Sequence, residues 1–427
     1  MRATPYRLVA IPAVAALAIA LAACSSSGSS AGGQETKLTV ATVQNDKPAL
    51  QSVVTAFEAA HPGVKVTLTS ADTSPYQTTL RTQLAANNGP DVFYTYPGAG
   101  NPAGESLLAQ AGYLKDLSSQ AFVAQLPKGI QGLAQYKGKT YVRPMTVGGI
   151  GMVFNMDALQ ATGLQVPTTF SGVLQLCADA KSKGKTAFAL GGATHSNVQF
   201  IDYALIPSLV YGKDPQFNDE MAAKSATFAS NAGWQQAVSM NVTMLNAGCF
   251  EKDPLGVDYP TAAKMVSSGQ ALAIVQTQGS IAQLKTTNPN GNFVLQPFPA
   301  DDNTADTYMA SSIGAEYAIN AHAKDPQLAQ EFLDFLSSDA QENAYATAAN
   351  SVPAIQNASS QVPASIQSIG EYQKEGKTFP YPDPAWPNAQ VQQAHLAGMQ
   401  QLLSGQGSVA DVLKGMDSAY AQGSGAS

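Results

Sequence analysis

Strand-like and helix-like segments alternate over residues 37–94, and this alternation restricts the fold more than any other feature of the sequence. Lys37–Val43 is rich in β-branched residues, and Pro48–Ala60 carries apolar residues at helical spacing. Val64–Thr69, Tyr76–Ala86 and Asp91–Tyr94 continue the pattern as strand, helix and strand. Because a helical connection between parallel strands is a right-handed crossover, the order predicts a parallel sheet covered by helices. We therefore expect an α/β protein.

The rest of the chain continues in the same way. Strands are predicted at Lys139–Val147, Ile150–Phe154, Thr186–Leu190, Ala271–Val275 and Ile313–Ile319. Helices are predicted at Met156–Thr162, Thr168–Lys183, Gln199–Val210, Trp234–Asn246, Thr261–Ser268, Pro326–Leu336, Ala340–Ala349, Gln390–Leu403 and Val409–Tyr420. The glycines at 149 and 151 are interpreted as a strand turn. A length of 427 residues favours two domains.

The charge balance excludes a nucleic-acid partner. The chain has 23 basic and 30 acidic residues, a formal net charge of −7, and only 12% charged residues. A nucleic-acid-binding protein needs a basic stripe that displaces counterions, and the sequence has none. Gln, Asn, Ser and Thr must supply most of the polar surface, which is typical of a secreted protein.

Residues 1–23 have the pattern of a secretory signal peptide. Two arginines precede the apolar run Leu8–Leu21, which is too short to span a bilayer. The run ends in Leu21-Ala22-Ala23-Cys24, which looks like a bacterial lipobox with Cys24 as the lipidated residue. Residues 24–36 would be a flexible tether. We expect a lipid-anchored protein on the outer face of the cytoplasmic membrane; the alternative is a cysteine that merely ends a signal peptide.

Two further cysteines, Cys177 and Cys249, could form a disulfide in an oxidising compartment. Such a bond would close a loop of about 70 residues and stabilise the fold by roughly 4 kcal/mol in the chain-entropy account. Two buried thiols are the alternative. The cysteines and histidines form no cluster with metal-ligand spacing, so we expect no metal and no cofactor.

The sequence lacks the common catalytic motifs. It contains no HExxH, GxSxG or P-loop pattern, and its four histidines are scattered. Glycosidases need only two carboxylates at a suitable separation, so a secreted glycan hydrolase stays open as an alternative. The main expectation is a protein that is not an enzyme.

A series of short motifs runs through most of the chain in a fixed order. They are Phe57-Glu58-x-x-His61-Pro62-Gly63-Val64-Lys65-Val66, Leu84-Ala85-Ala86-x-x-Gly89-Pro90-Asp91-Val92, Ala111-Gly112-Tyr113-Leu114-Lys115-Asp116-Leu117, Tyr141-Val142-Arg143-Pro144, Val153-Phe154-Asn155-Met156-Asp157, Gly163-Leu164-x-x-Pro167-x-Thr169-Phe170, Ser268-Gly269-Gln270-Ala271-Leu272-Ala273 and Ala323-Lys324-x-x-Gln327-x-Ala329-x-x-Phe332-Leu333-x-Phe335-Leu336. Their order and spacing resemble the extracellular solute-binding proteins of ABC transporters, specifically the group that includes maltose- and oligosaccharide-binding receptors.

The resemblance implies a type II periplasmic-binding-protein fold with two α/β lobes, each a mainly parallel sheet flanked by helices, joined by hinge strands. Lobe 1 would comprise residues 37–142 and 312–350, and lobe 2 residues 143–311 and 351–427. The ligand, most simply a carbohydrate, would bind between the lobes, which close around it. The closed form would dock on the permease subunits of the transporter as a monomer. With only Trp234 and Trp386 as large stacking rings, a polyol or another polar solute is the alternative ligand.

Candidate ligand contacts lie in loops at the carboxyl ends of predicted strands, where binding groups collect in α/β sheets. They are Gln44, Asn45, Tyr94, Tyr96, Arg143, Asn197, Gln199, Gln278, Met309 and Trp386. Several have a structural alternative. Gln44 and Asn45 could simply end the strand, one of the two tyrosine rings could be buried, Arg143 could form a salt bridge between lobes, and Trp386 could cover the core.

Overall fold

The fold is seen in a computed structural model that describes residues 36–423, apart from the side chains at positions 128 and 129. The predicted signal peptide, Cys24 and all but the last residue of the tether lie outside the described residues. Within residues 36–423, no helix is both long enough and apolar enough to cross a membrane.

The strands of the described residues are short except for two. They are β1 (Thr36–Val43), β2 (Val64–Ala71), β3 (Val92–Thr95), β4 (Gln135–Tyr136), β5 (Lys139–Thr140), β6 (Val142–Asn155), β7 (Thr186–Ala189), β8 (Ala271–Thr277), β9 (Phe293–Gln296), β10 (Met309–Ile319), β11 (Val352–Pro353) and β12 (Thr378–Phe379).

The α-helices surround these strands. They are α1 (Lys47–Ala60), α2 (Thr73–Ala85), α3 (Glu105–Gln110), α4 (Lys128–Gln131), α5 (Met156–Thr162), α6 (Phe170–Ser182), α7 (Phe200–Ile206), α8 (Phe217–Ala222), α9 (Ala232–Asn246), α10 (Tyr259–Ser267), α11 (Ser280–Thr287), α12 (Pro326–Leu336), α13 (Asp339–Ala348), α14 (Gln367–Lys374), α15 (Gln390–Leu403) and α16 (Val409–Gly423).

The main sheet has the strand order β2-β1-β3-β10-β6-β8-β7. The flanks are parallel, because β1 pairs in parallel with β2 and β3, and β7 pairs in parallel with β8. The centre is antiparallel, because β10 runs against both β3 and β6, and β6 runs against β8. The α/β class is confirmed, and the helical crossovers fall on the parallel flanks as expected.

The predicted turn at residues 149–151 is wrong, since β6 runs without a break from Val142 to Asn155. The glycines permit close packing instead. A Cβ on Gly148 would lie 2.4 Å from Nε2 of Gln278, and one on Gly151 would lie 2.3 Å from the carbonyl oxygen of Gln296. Glycine is therefore required at these positions because neighbouring atoms lie too close for a Cβ, and not because the chain changes direction.

Two hydrophobic cores share the long strands β6 and β10. Val142 and Val147 of β6 lie in the first core, whereas Ile150 and Phe154 lie in the second. β10 passes from the second core to the first in the same manner. We call the parts around these cores the first and second lobe. The exact residue boundaries of the lobes stay a prediction.

A disulfide joins Cys177 of α6 to Cys249, which follows α9, with an S–S distance of 2.06 Å. Both cysteines are buried in the core of the second lobe. The disulfide links α6 to the segment that follows α9. The same segment is joined to the sheet, because the Phe188 N–H of β7 donates to the Cys249 carbonyl oxygen.

Arg143 is a structural residue and not a ligand contact. Its guanidinium is buried in the first lobe, where Nη2 donates to Oε2 of Glu342 at 2.6 Å and Nε donates to Ser337 at 3.0 Å. The guanidinium carbon also lies 5.1 Å from the ring centroid of Phe122. A salt bridge of Arg143 is thus present, and its partner Glu342 belongs to α13, which packs against the first core. Burial lowers the pKa of Arg143, and the Glu342 carboxylate opposes that shift.

We expect Glu342→Gln to destabilise the protein by roughly 3–5 kcal/mol, because it leaves a buried guanidinium without its counter-charge. Urea unfolding followed by circular dichroism measures the change. The control is Glu331→Gln, which removes an exposed carboxylate from the neighbouring helix α12. Equal unfolding midpoints for the two variants would show that the pair contributes nothing.

Candidate functional site

A cleft of about 560 Å³ lies between the two lobes. The first lobe contributes the segments that follow β1 and β3, the start of α2 and part of β10. The second lobe contributes the segment after β7, the start of α10, the loop after β8 and the Pro-rich segment around residues 381–384. The cleft has the size of a small-molecule site, and its position at strand ends is where α/β sheets bind ligands.

The loop after β1 presents Gln44 and Asn45 to the cleft, and both are exposed. The Ser70 hydroxyl donates to Oε1 of Gln44 at 2.8 Å, which fixes the amide and leaves its NH₂ group available. Contact of these two residues with a ligand stays a prediction. Their exposed position in the cleft is compatible with it.

Tyr94 lies in β3 and Tyr96 directly follows it, and both line the cleft. The Tyr94 ring is buried, and its hydroxyl donates to the Gly314 carbonyl oxygen at 2.7 Å. The Tyr96 ring is half-buried and stands edge-on to Tyr94, with centroids 5.0 Å apart. Tyr94 thus supports the wall, and Tyr96 is the ring of the pair that a ligand can reach more easily.

Asp46 is a buried carboxylate in the same wall, and its hydrogen bonds come from the protein. Hydroxyls of Thr42, Tyr317 and Tyr345 donate to its Oδ2, the first at 3.0 Å. Burial raises the pKa of Asp46, and the three hydroxyl groups oppose that shift. The carboxylate links β1, β10 and α13 through Oδ2.

In the second lobe, the predicted contact Asn197 lines the cleft, but its amide is committed to the backbone. Its Nδ2 donates to the carbonyl oxygens of Leu190 and Gly191 at 3.1 and 3.2 Å, and its Oδ1 accepts from Gln276 at 3.2 Å. These bonds shape the loop after β7. Gln199, two residues further on, lines the cleft beside Gln392, with 3.3 Å between their amide groups.

Gln278 also lines the cleft, and its amide is bonded to β6 and to the segment after α13. Oε1 accepts from the Gly149 N–H at 2.9 Å, and Nε2 donates to the Ser351 hydroxyl at 2.8 Å. This side chain therefore connects the middle of β6 to the segment after α13. It shapes the base of the cleft, and these two bonds fix the orientation of its amide.

Met309 and Trp386, like Arg143, do not line the cleft. Met309 is buried beneath the sheet of the second lobe. Trp386 is 2% exposed and packs edge-on against Phe228, which makes the alternative of a core residue the correct one. Its ring also contacts Tyr203, with centroids 6.1 Å apart, and Tyr203 does line the cleft. Trp386 supports a cleft residue from behind.

Sequence reasoning missed several residues of the cleft. The most informative are Tyr259, Glu316, Tyr381 and Asp383. Tyr259 begins α10, Glu316 lies inside β10, and the other two belong to the Pro-rich loop that the sequence had singled out for Trp386. The available signal was a loop rich in proline and aromatic residues, which indicated the segment but not which of its side chains face the cleft.

Some polar atoms in the wall are buried without a partner. In the described part of the chain, no hydrogen bond is made by the Tyr259 hydroxyl, by either carboxylate oxygen of Glu316 or by Oδ1 of Asp383. Leaving such groups unpaired costs about 1–3 kcal/mol each. They mark where a bound molecule would gain most.

Two loops meet on the side of the cleft where the Pro-rich segment lies. Backbone atoms of residues 98–100 in the first lobe touch Asp383 and Pro384 in the second lobe. A Cβ on Gly100 would lie 1.9 Å from the carbonyl oxygen of Asp383, and one on Gly98 would lie 2.0 Å from that of Pro384. The lobes are thus in contact here, and only glycine allows so close an approach.

Comparison with known proteins explains this architecture. Residues 41–343 match the family described as bacterial extracellular solute-binding protein. The chain belongs to this family. As a solute-binding protein it is not an enzyme, in agreement with the sequence prediction.

The curated relatives of this solute-binding protein match it over most of their length. The melibiose/raffinose/stachyose-binding protein MelE of Bacillus subtilis is 24% identical over 381 residues, which cover 86% of this chain and 84% of the relative. The maltodextrin-binding protein MdxE of the same organism is 26% identical over 358 residues, with 81% and 80% covered.

Solved structures share the fold. A chitin oligosaccharide binding protein superposes with a TM-score of 0.77 at 19% identity, covering 92% of this chain and all of that chain. A sugar transporter from Bacillus licheniformis in complex with stachyose gives 0.74 at 18% identity, covering 91% of this chain and all of that chain. The expected two-lobed periplasmic-binding-protein fold is confirmed.

The pH dependence of stability should report on Asp383. Burial raises the pKa of this carboxyl to about 7, from an ordinary value of 3.8. Between about pH 4 and pH 7 the folded protein then holds a proton that the unfolded chain has lost, so the free energy of unfolding falls as the pH rises through this window.

We expect Asp383→Asn to make the decrease in melting temperature from about pH 5 to about pH 7 shallower than in the wild type, because the amide cannot ionise. Scanning calorimetry at several pH values measures it. Asp219→Asn, at an exposed position of α8, should keep the wild-type slope. A slope unchanged by Asp383→Asn would contradict the raised pKa.

Proposed function

We propose that this protein is the carbohydrate-binding component of an ABC importer. The observation that carries the proposal is a cleft between two lobes that combines aromatic rings with inward-facing polar groups. The relatives support it, because their names describe binding of melibiose, raffinose, stachyose and maltodextrin.

The chemistry of the wall suits a sugar. The CH face of a pyranose packs on aromatic rings, and its hydroxyls need fixed donors and acceptors. The cleft offers half-buried tyrosine rings from both lobes, at Tyr96, Tyr259 and Tyr381, while the buried rings of Tyr94 and Tyr203 support its wall. It also offers the amides of Gln44 and Asn45 and the unpaired oxygens of Glu316 and Asp383. Tyrosine would therefore take the stacking role that the two tryptophans do not fill.

Capture would proceed by closure of the lobes. A ligand stabilises the closed state only through contacts that both lobes make at once, so it shifts the population of conformations towards closure. Bending would occur where β6 and β10 pass between the lobes, and the closed form would dock on the permease subunits. Cys24 would anchor the protein to the outer face of the cytoplasmic membrane through its lipid.

The proposal is tested by a thermal-shift screen against mono- and oligosaccharides and polyols, followed by calorimetry of each hit. A sugar at 100 times its dissociation constant should stabilise the protein by about 2.7 kcal/mol. Chromatography of the same mixtures should show the sugar unchanged. Stabilisation by polyols alone would replace the carbohydrate with the alternative ligand class, and no stabilisation by any compound would contradict the proposal.

Gly100→Ala tests closure. Its methyl group has no room beside Asp383 when the loops meet, so we expect the variant to bind the best sugar of the screen at least tenfold more weakly. Its radius of gyration in small-angle X-ray scattering should also decrease less than that of the wild type when the sugar is added.

Gly415→Ala is the matched control, since a Cβ at this position of α16 meets nothing within 4 Å. It should keep the affinity and the compaction of the wild type. If Gly100→Ala also keeps both, the loop contact plays no part in ligand capture.

A further inference from the structure

Among the Asp, Glu, His, Lys and Arg side chains that line the cleft, carboxyls predominate. The acidic side chains are Asp46, Asp72, Glu316 and Asp383, while no Lys or Arg lines it among residues 36–423. His195 is an imidazole at the rim, and its side chain is exposed. An anion would meet carboxyl groups and no Lys or Arg among the lining residues of the described chain, and like-charge contacts at short distance are unfavourable. The field favours a neutral or cationic ligand.

The four carboxyls are not equivalent. Asp46 already accepts three hydroxyl donors, and Asp72 is exposed to solvent. Glu316 is fully buried in β10, and neither of its oxygens has a donor within the described residues. Oδ1 of Asp383, which comes from the other lobe, is likewise buried and unpaired. Glu316 and Asp383 are therefore the lining carboxyls with buried oxygens that receive no hydrogen bond in the described structure.

A second carboxyl stands behind Glu316. Glu105, the first residue of α3, is fully buried, and both of its oxygens also lack a donor in the described structure. Burial and the charge of Glu105 raise the pKa of Glu316 well above its usual value. Burial raises the pKa of Glu105 to about 8. Without a ligand, bound protons therefore neutralise the negative charge of Glu105 and Glu316.

A cation would compensate it more effectively than a neutral hydroxyl. An ammonium group donates three hydrogen bonds and carries the opposite charge, and charge-assisted hydrogen bonds are roughly twice as strong as neutral ones. We propose that the cleft is specific for saccharides that carry a protonated amino group, with Glu316 and Asp383 as the carboxyl partners of that group, and that it rejects anionic saccharides. This inference rests on the proposed carbohydrate-binding function and narrows its ligand class.

The test uses matched sugars that differ in one group. Glucose, galactose and mannose are compared by calorimetry with their 2-amino and 6-carboxylate forms, together with the β-1,4 disaccharides of glucose and of glucosamine. We expect the amino form to bind at least tenfold more tightly than its hydroxyl counterpart, and the carboxylate form not to bind. The advantage of the amino form should shrink as salt rises from about 0.05 to 0.5 M, because salt screens charge.

Glu316→Gln keeps the shape of the side chain and removes its charge, and it should reduce the ratio of amino to hydroxyl affinity to less than threefold. Asp383→Asn should lower the same ratio. It provides the test if the Glu316→Gln variant does not fold. Glu220→Gln, on the exposed face of α8, should leave the ratio as in the wild type.

The outcomes separate the two proposals. Equal or tighter binding of the hydroxyl form, binding of the carboxylate form, or an unchanged ratio in both cleft variants would overturn the amino-sugar inference and leave the carbohydrate receptor standing. If the full sugar screen and these compounds all fail to bind, the proposed function falls and this inference falls with it.

Discussion

The pairing of β6 with β10 is the constraint on which the rest of the structure depends. Their backbone hydrogen bonds run from Ala310–Ile150 in the second lobe to Ala318–Val142 in the first, so both cores are built on the same two strands. The register shifts on either side of Ala315, where the ladder is irregular. A break in regular pairing bends a strand and weakens it locally. The cleft lies beside this point, so a small change there would alter the distance between its walls.

Most of the fold was predictable because its signals are local. The apolar spacing of α1, the β-branched residues of β1 and the caps of α6 and α12 each reflect a segment's own sequence, and these elements fall where expected. The antiparallel centre was not predictable, since it depends on which distant strands become neighbours. The glycines of β6 were misread for the same reason. Gly151, which admits the carbonyl oxygen of Gln296, has the same local pattern as a glycine in a turn.

The site was predicted at the level of loops and only partly at the level of side chains. Polar residues after β1, β3 and β7 do reach the cleft, because strand ends meet at one edge of a sheet. Arg143, Met309 and Trp386 do not, because each is covered by partners that come from elsewhere in the chain. For Trp386 the Pro-rich loop was the right segment, yet its indole turns into the core while Tyr381 and Asp383 face the ligand space.

Lining a cleft and being free to bind are separate properties, and the contrast between Asp46 and Glu316 shows why. Both are buried carboxyls of the first lobe, but three hydroxyls donate to Oδ2 of Asp46, whereas no group of the described chain donates to either oxygen of Glu316. A satisfied group stabilises the free protein and gains little from a ligand. An unsatisfied group destabilises the free protein and is relieved when a donor arrives. Ligand selectivity in this cleft should therefore follow the few unpaired oxygens, whereas Asn197 and Gln278, whose amides are already bonded, determine its shape.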